Sequence, residues 1–316
     1  MALIATTLSF ELRRLVRHPA FAASLLLLGG GALTLIATGF GPRTVLLTAP
    51  YLQTQSLGML TLVAIFVLTF FVAHAALGDS ESKMQELLFA TPLTRGAWFA
   101  GRCSAVILAG FAAMVVAAIV LVIAPSIVPV DPARVGPMGF GGALWALLII
   151  VLPNLILIGA ILFTAAALSG SSTVTAVAGI GIWALFWVTA LLVDSPLLAG
   201  TSPPSAEALA RAAVLDPFGL SAFFEQTRYW TPDERNTRLM SFTGRLLINR
   251  VLWLTVAGAM LILAARRVAP RRRAAARTPR TPQRDAAPPV PLDALHTITP
   301  LGAWATWRRL TRHEVR

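Results

Sequence analysis

The chain has 316 residues, 56% of them hydrophobic and 13% charged, with a net charge of +12 and a mean hydropathy of +0.74. A water-soluble domain of this length does not need that much apolar surface, so the composition points to a polytopic membrane protein. The basic residues concentrate between apolar runs, where topology explains them without nucleic-acid binding, and the single cysteine, Cys103, excludes an internal disulfide or a cysteine-based metal cluster.

Residues 1–20 read as an interfacial elbow helix. Ile4, Leu8, Leu12, Leu15 and Val16 share one face, and Arg13, Arg14 and Arg17 lie opposite, among lipid phosphates, until Pro19 ends the helix. The apolar run that follows lacks a small-residue cleavage site, so a cleavable signal peptide is not expected. Phe21–Phe40 is the first expected span, loosened by Gly29-Gly30-Gly31, and Pro50–Ser56 reads as a short polar connection. Leu57–Leu77, without Asp, Glu, Lys or Arg, is the second; about 20 apolar residues cross a hydrocarbon core of roughly 30 Å. His74 near its end fits a headgroup-boundary histidine better than a proton relay, since no carboxylate accompanies it in the span.

Residues 78–102, GDSESKMQELLFATPLTRGAWFAGR, form a charged island that reads as a loop, with helix-forming content of its own, tying two membrane-length apolar runs together. As a helix, Leu77, Met84, Leu87 and Leu88 fall on one face and Asp79, Ser82, Lys83 and Glu86 on the other. Thr91-Pro92 breaks that helix, because proline lacks an N–H and biases its predecessor away from α geometry. A short amphipathic helix, a proline break and a return to the membrane suit docking of a soluble partner.

Cys103–Val130 is the third expected span, closed by Pro125 and Pro129. Ala143–Leu168 is the fourth, with Pro153-Asn154 at mid-depth. Asparagine in hydrocarbon needs a polar partner, so the pair reads either as a kink with a helix–helix hydrogen bond or as part of a substrate path. A tight turn, Ser169–Thr173, leads to a fifth span, Val174–Val193, in which Gly179 and Gly181 would let a neighbouring backbone approach. Trp183, Phe186 and Trp187 suit packing or lipid contact better than a substrate path.

Asp194–Arg250 is too charged for the bilayer and too aromatic for a plain linker; the outer segment is set at residues 194–245, and Arg250 is counted with its charges. Ser205–Val214 reads as a short helix, Asp216–Gly219 as a capped turn and Leu220–Trp230 as an interfacial helix. Leu246–Ala265 is the sixth span. Residues 270–295, rich in Arg, Ala and Pro without apolar periodicity, read as a disordered linker. The expected fold is therefore all-α, with six spans across residues 21–269. With the N-terminus inside, eighteen Lys and Arg lie on the cytoplasmic side and eight outside, which the positive-inside rule favours.

The end of the chain repeats its beginning. Leu12–Pro19 reads LRRLVRHP and Trp307–Glu314 reads WRRLTRHE, so residues 296–316 are expected to start a second elbow-like helix and a second copy of the domain.

Together these segments resemble the ABC-2 (type V exporter) permeases of ABC transporters. That family has an N-terminal elbow helix, six spans, a cytoplasmic coupling helix between spans two and three, and short outer-face helices between spans five and six. ELLFATPLTRGAWFAGR resembles the family's E-x-L-x-x-[ST]-P-[LV]-[ST]-R loop running into a G-[KR] at the third span. The resemblance implies a coupling helix at Glu81–Phe89, bearing Glu81, Lys83, Glu86 and Leu87, and an exit turn with Thr91, Pro92, Leu93 and Arg95. LDPFG at Leu215–Gly219 and RYWTPDERN at Arg228–Asn236 resemble a subgroup of fused two-module permeases, some with an extracytoplasmic M1-type peptidase.

The chain contains no G-x-x-x-x-G-K-[ST] and no H-E-x-x-H, and its four histidines are scattered. The expectation is a non-enzyme without cofactor or metal. The resemblance implies a separate cytoplasmic ATPase dimer docked on the island and a second permease module, a homodimer or the other half of a fusion. It also implies a bacterial inner-membrane location with the N-terminus cytoplasmic. Membrane lipids complete the expected partners, and nucleic acid is not among them. The alternative is a non-transporting scaffold for the extracytoplasmic peptidase. A proton-coupled carrier is disfavoured because the spans hold no carboxylate.

Overall fold

In the computed structural model, described over residues 2–81, 95–192 and 205–268, all regular structure is helical. The helices are α1 (Ala2–Arg17), α2 (Pro19–Ala37), α3 (Pro50–Glu81), α4 (Arg95–Ile123), α5 (Gly141–Ser169), α6 (Ser172–Leu192), α7 (Ala206–Leu215), α8 (Leu220–Thr227), α9 (Pro232–Thr237) and α10 (Gly244–Val268). Five are long and apolar enough to cross a membrane, at Pro19–Ala37, Pro50–Leu77, Gly96–Ser126, Gly141–Ser169 and Gly244–Arg266. A further apolar helix, over Ser172–Val188 of α6, falls just short of that length.

Local chemistry sets the helix ends. His18 is extended, its Nδ1 accepts the Ala20 N–H at 3.1 Å, and Pro19 takes the first helical position. Pro19 therefore starts α2 as well as closing α1, because the first-turn N–H it lacks would have no helical acceptor. In α5, residues Leu147–Val151 form a π-helical turn in which the Leu152 N–H reaches Leu147 O. The wide turn lies directly before Pro153, whose ring would crowd the carbonyl four residues back in a regular helix. The kink expected at Pro153 is thus a π-turn, and the helix continues through it.

Three boundaries differ from the sequence reading. Pro50–Ser56, expected as a polar connection, is the first part of α3, and Gln53, Thr54, Gln55 and Ser56 are buried. They are enclosed by the adjacent loops: Gln53 Nε2 donates to Thr48 O at 2.9 Å and to Gly139 O at 3.0 Å. Arg134 ties those loops together, donating to Gly39 O at 2.7 Å and Pro42 O at 3.2 Å. The charged island is not a loop at either edge, since α3 runs on to Glu81 and α4 starts at Arg95, eight residues before the expected third span. The third difference concerns Arg250, placed in the outer segment by its charge; it lies inside α10 and is 1% exposed.

Helices α3 and α5 form the centre, each 72% buried over its most apolar window, while those of α2 and α10 are 33% and 22% buried. Gly179 of α6 meets α3 closely, where an added Cβ would strike Thr69, whereas Gly181 faces open space. Only the first of the two glycines expected to admit a neighbour does so. The expected linker at 270–295 and the second elbow at 296–316 lie outside the described residues.

Candidate functional site

The segment that the sequence marks for docking a partner, residues 82–94, lies outside the described residues, and with it Lys83, Glu86, Leu87, Thr91 and Pro92. Its two flanks are described: Glu81 is the last residue of α3 and Arg95 the first of α4. Two turns into α4, Arg102 is 2% exposed and holds three elements together. Its Nη2 lies 2.7 Å from Glu11 Oε1 of α1, its Nη1 donates to Ala75 O of α3 at 2.6 Å, and its guanidinium lies 4.4 Å from the Trp98 ring centre.

Glu11 is itself 2% exposed, and Arg14 Nη1 lies 3.6 Å from its other carboxylate oxygen. The apolar face of α1, expected to rest on lipid, instead packs against α4 with Glu11 in its middle, between the buried Leu15 and the half-buried Leu8. Gly101 permits this seat, because a Cβ there would lie 2.7 Å from Thr7 Cβ and 3.1 Å from the Leu8 backbone nitrogen. Of the elbow arginines, Arg13 and Arg17 are exposed and Arg14 is half-buried. At this same end His18 and His74 stand with ring centres 4.9 Å apart.

The second polar centre lies deeper. Asn154, near the midpoint of the 29-residue α5, is 1% exposed. Its Nδ2 donates to Thr61 Oγ1 of α3 at 3.2 Å and to Phe218 O at 3.1 Å, and its Oδ1 accepts from Arg250 Nη1 at 2.8 Å. The bonds to Thr61 and Arg250 join Asn154 to two other helices, and the bond to Phe218 joins it to a turn.

The turn between α7 and α8 is therefore inserted to the level of mid-α5. Asp216 shapes it, its carboxylate accepting from Phe218 N at 2.9 Å and Ser221 N at 2.7 Å. Gly219 adopts φ +71°, and a Cβ there would overlap the Arg250 guanidinium beneath it. Asn249 Nδ2 donates to the carbonyls of Ala213, Val214 and Asp216 at 3.0, 2.9 and 2.7 Å, closing the C-terminus of α7. Phe186 of α6 packs edge-on against Phe218 at 5.1 Å, so it is a packing residue of this turn, while Trp183 is exposed.

Beyond this insertion, at the exposed surface, Thr231 and Glu234 form a capping box that starts α9. Asn236 then accepts the Leu46 N–H at 2.9 Å. Backbone hydrogen bonding from Thr231 holds the Glu234 carboxyl below the usual range.

Sequence reasoning missed Glu11, Asn249 and Arg250 as structural centres. For Glu11 a signal existed, since it falls on the Leu8–Leu15 face. Among the described residues, no cluster of His, Cys, Asp and Glu could hold a metal ion. Compared with models of known protein families the chain matches none, and no curated protein matches it.

Proposed function

We propose that this chain is the membrane-spanning permease subunit of an ABC transporter, an exporter that hydrolyses no ATP itself and is driven by a separate cytoplasmic ATPase. On this reading α6 is a sixth span, the N-terminus is cytoplasmic, and the protein sits in a bacterial inner membrane. It pairs with a second permease module.

The observation that carries the proposal is the arrangement around residues 82–94. This charged, proline-broken segment is bracketed by two membrane-length helices. The N-terminal helix α1 packs at the same end, through Glu11 and Gly101. The short helices α7 and α8 insert from the opposite end, down to Asn154. An N-terminal helix packed beside a charged segment, with short helices inserted from the opposite end, is the order of parts that supports the ABC-2 permease resemblance carried by the ELLFATPLTRGAWFAGR sequence. Binding of ATP to the docked ATPases would favour one conformation of this segment and shift the bundle by that differential affinity.

The test is purification of the tagged chain from its native membrane. A stoichiometric P-loop ATPase, lost on the double charge reversal Glu86→Lys and Arg95→Glu, is the expected result. A preparation without an ATPase, or with an extracytoplasmic hydrolase instead, overturns it.

A further inference from the structure

We infer that the crevice between α8 and the start of α10 is a binding site for a membrane phospholipid whose headgroup carries a primary ammonium beside its phosphate, of the phosphatidylethanolamine type. The inference does not depend on the transporter reading, since it needs only that α10 meets lipid.

The crevice has a volume of about 400 Å³ and is lined by Glu225 and Gln226 of α8 and by Thr243, Arg245, Leu246 and Ile248. That size falls within the ~300–1,000 Å³ of small-molecule sites. The walls are held together without a ligand. Gln226 Nε2 donates to Ser241 O at 3.2 Å and Ser241 Oγ at 2.9 Å, and its Oε1 accepts the Ser241 N–H at 3.0 Å. The chain entering α10 is thereby tied to α8.

Glu225 stands on the α8 wall and Arg245 on the α10 wall, joined by an ion pair. Both side chains are partly exposed, so the pair adds little as a structural tie. Among the described residues, neither side chain has another hydrogen-bonding partner. Gly244 begins α10 and its membrane-length apolar stretch, which puts the crevice where the helix meets the headgroups. Ile248, in the crevice wall, is 56% exposed, and Val251 and Leu252 continue an exposed apolar face along α10.

The order of these groups matches the covalent order of one lipid. The apolar face of α10 leads to Ile248; Arg245 lies one turn before it on the same face, and Glu225 lies across from Arg245 on α8. Phosphatidylethanolamine presents acyl chains, then a phosphate, then an ammonium. The guanidinium suits the phosphate, and the carboxylate accepts the ammonium N–H groups. An anionic headgroup without an amine would leave Glu225 facing negative charge, and choline brings a cation with no N–H to donate.

The experiment uses the full chain, purified in detergent and stripped of lipid, with native mass spectrometry and thermal unfolding as readouts. The probes are dioctanoyl phosphatidylethanolamine, phosphatidylcholine and phosphatidylglycerol. One phosphatidylethanolamine should stay bound and raise the unfolding temperature, with an affinity about tenfold above that of either other lipid, as one charged hydrogen bond supplies. Glu225→Gln should remove that preference and leave the lipid-free unfolding temperature unchanged. The exchange Glu225→Arg with Arg245→Glu keeps an ion pair but sets a carboxylate where the phosphate would lie. It should remove the preference as well, which a purely structural ion pair would not explain.

No bound lipid, equal affinity for all three, or a preference that survives the charge exchange overturns the inference. Each of these results leaves the transporter reading intact.

Discussion

Arg250 Nη1 donates to Asn154 Oδ1 at 2.8 Å across 96 positions of sequence, and each residue is 1% exposed. This bond joins α10 to α5 at the level where the turn Asp216–Gly219 is inserted, and Asn154 passes it on to Thr61 of α3. Three long helices and one inserted turn thus share a single asparagine. Hydrogen bonds to a charged group are worth about 1.5–3 kcal/mol, and a buried cation deprived of its acceptor costs at least as much. Asn154→Leu should therefore destabilise the bundle by about 2–3 kcal/mol, measured as thermal unfolding in detergent. Asn154→Asp, which supplies a carboxylate to Arg250, should retain most of the stability.

Gly219 carries two separate constraints, a left-handed backbone and the guanidinium beneath it. Left-handed strain alone costs a non-glycine residue about 1–2 kcal/mol. Gly219→Ala should cost more than that in the native chain and only the strain in an Arg250→Met background. Equal costs in both backgrounds would mean that Arg250 does not underlie the turn.

The two glycines of α6 should behave differently. At Gly179 a side chain meets Thr69 of α3, and at Gly181 it meets nothing within 4 Å. Gly179→Ile should lower the unfolding temperature and the yield of folded protein, and Gly181→Ile should leave both unchanged.

The Glu234 carboxyl is held below its ordinary value by the Thr231 backbone N–H. Its contribution to the α9 cap is present above the unfolded value of about 4.3 and is lost as the pH falls through the lower folded value. Hydrogen exchange in α9, corrected for intrinsic rate, should accelerate only below that ordinary value. In Glu234→Gln the pH step should be absent.

Apolar run length located the long helices, because about 20 residues without charge have few alternatives to crossing a bilayer. The same criterion misplaced Pro50–Ser56 and Arg250, since it reads polarity as exposure. Gln53 finds backbone carbonyls and Arg250 finds Asn154, and a polar side chain with such partners stays inside. The inward role of Asn154 was legible because a lone asparagine in an apolar run must meet something polar. Its partners were not, because they come from segments up to 96 residues away. Glu11 was missed for a related reason: the α1 face was read against lipid, while the neighbour of Glu11 is Arg102 of α4.

The most direct test of the central claim is a photo-crosslinking residue at Leu87, in the native membrane with both partners at native levels. The account predicts one dominant adduct, with a P-loop ATPase, whose yield changes when ATP is added from the cytoplasmic side. No protein adduct, or an adduct formed only from the outer face, would contradict it.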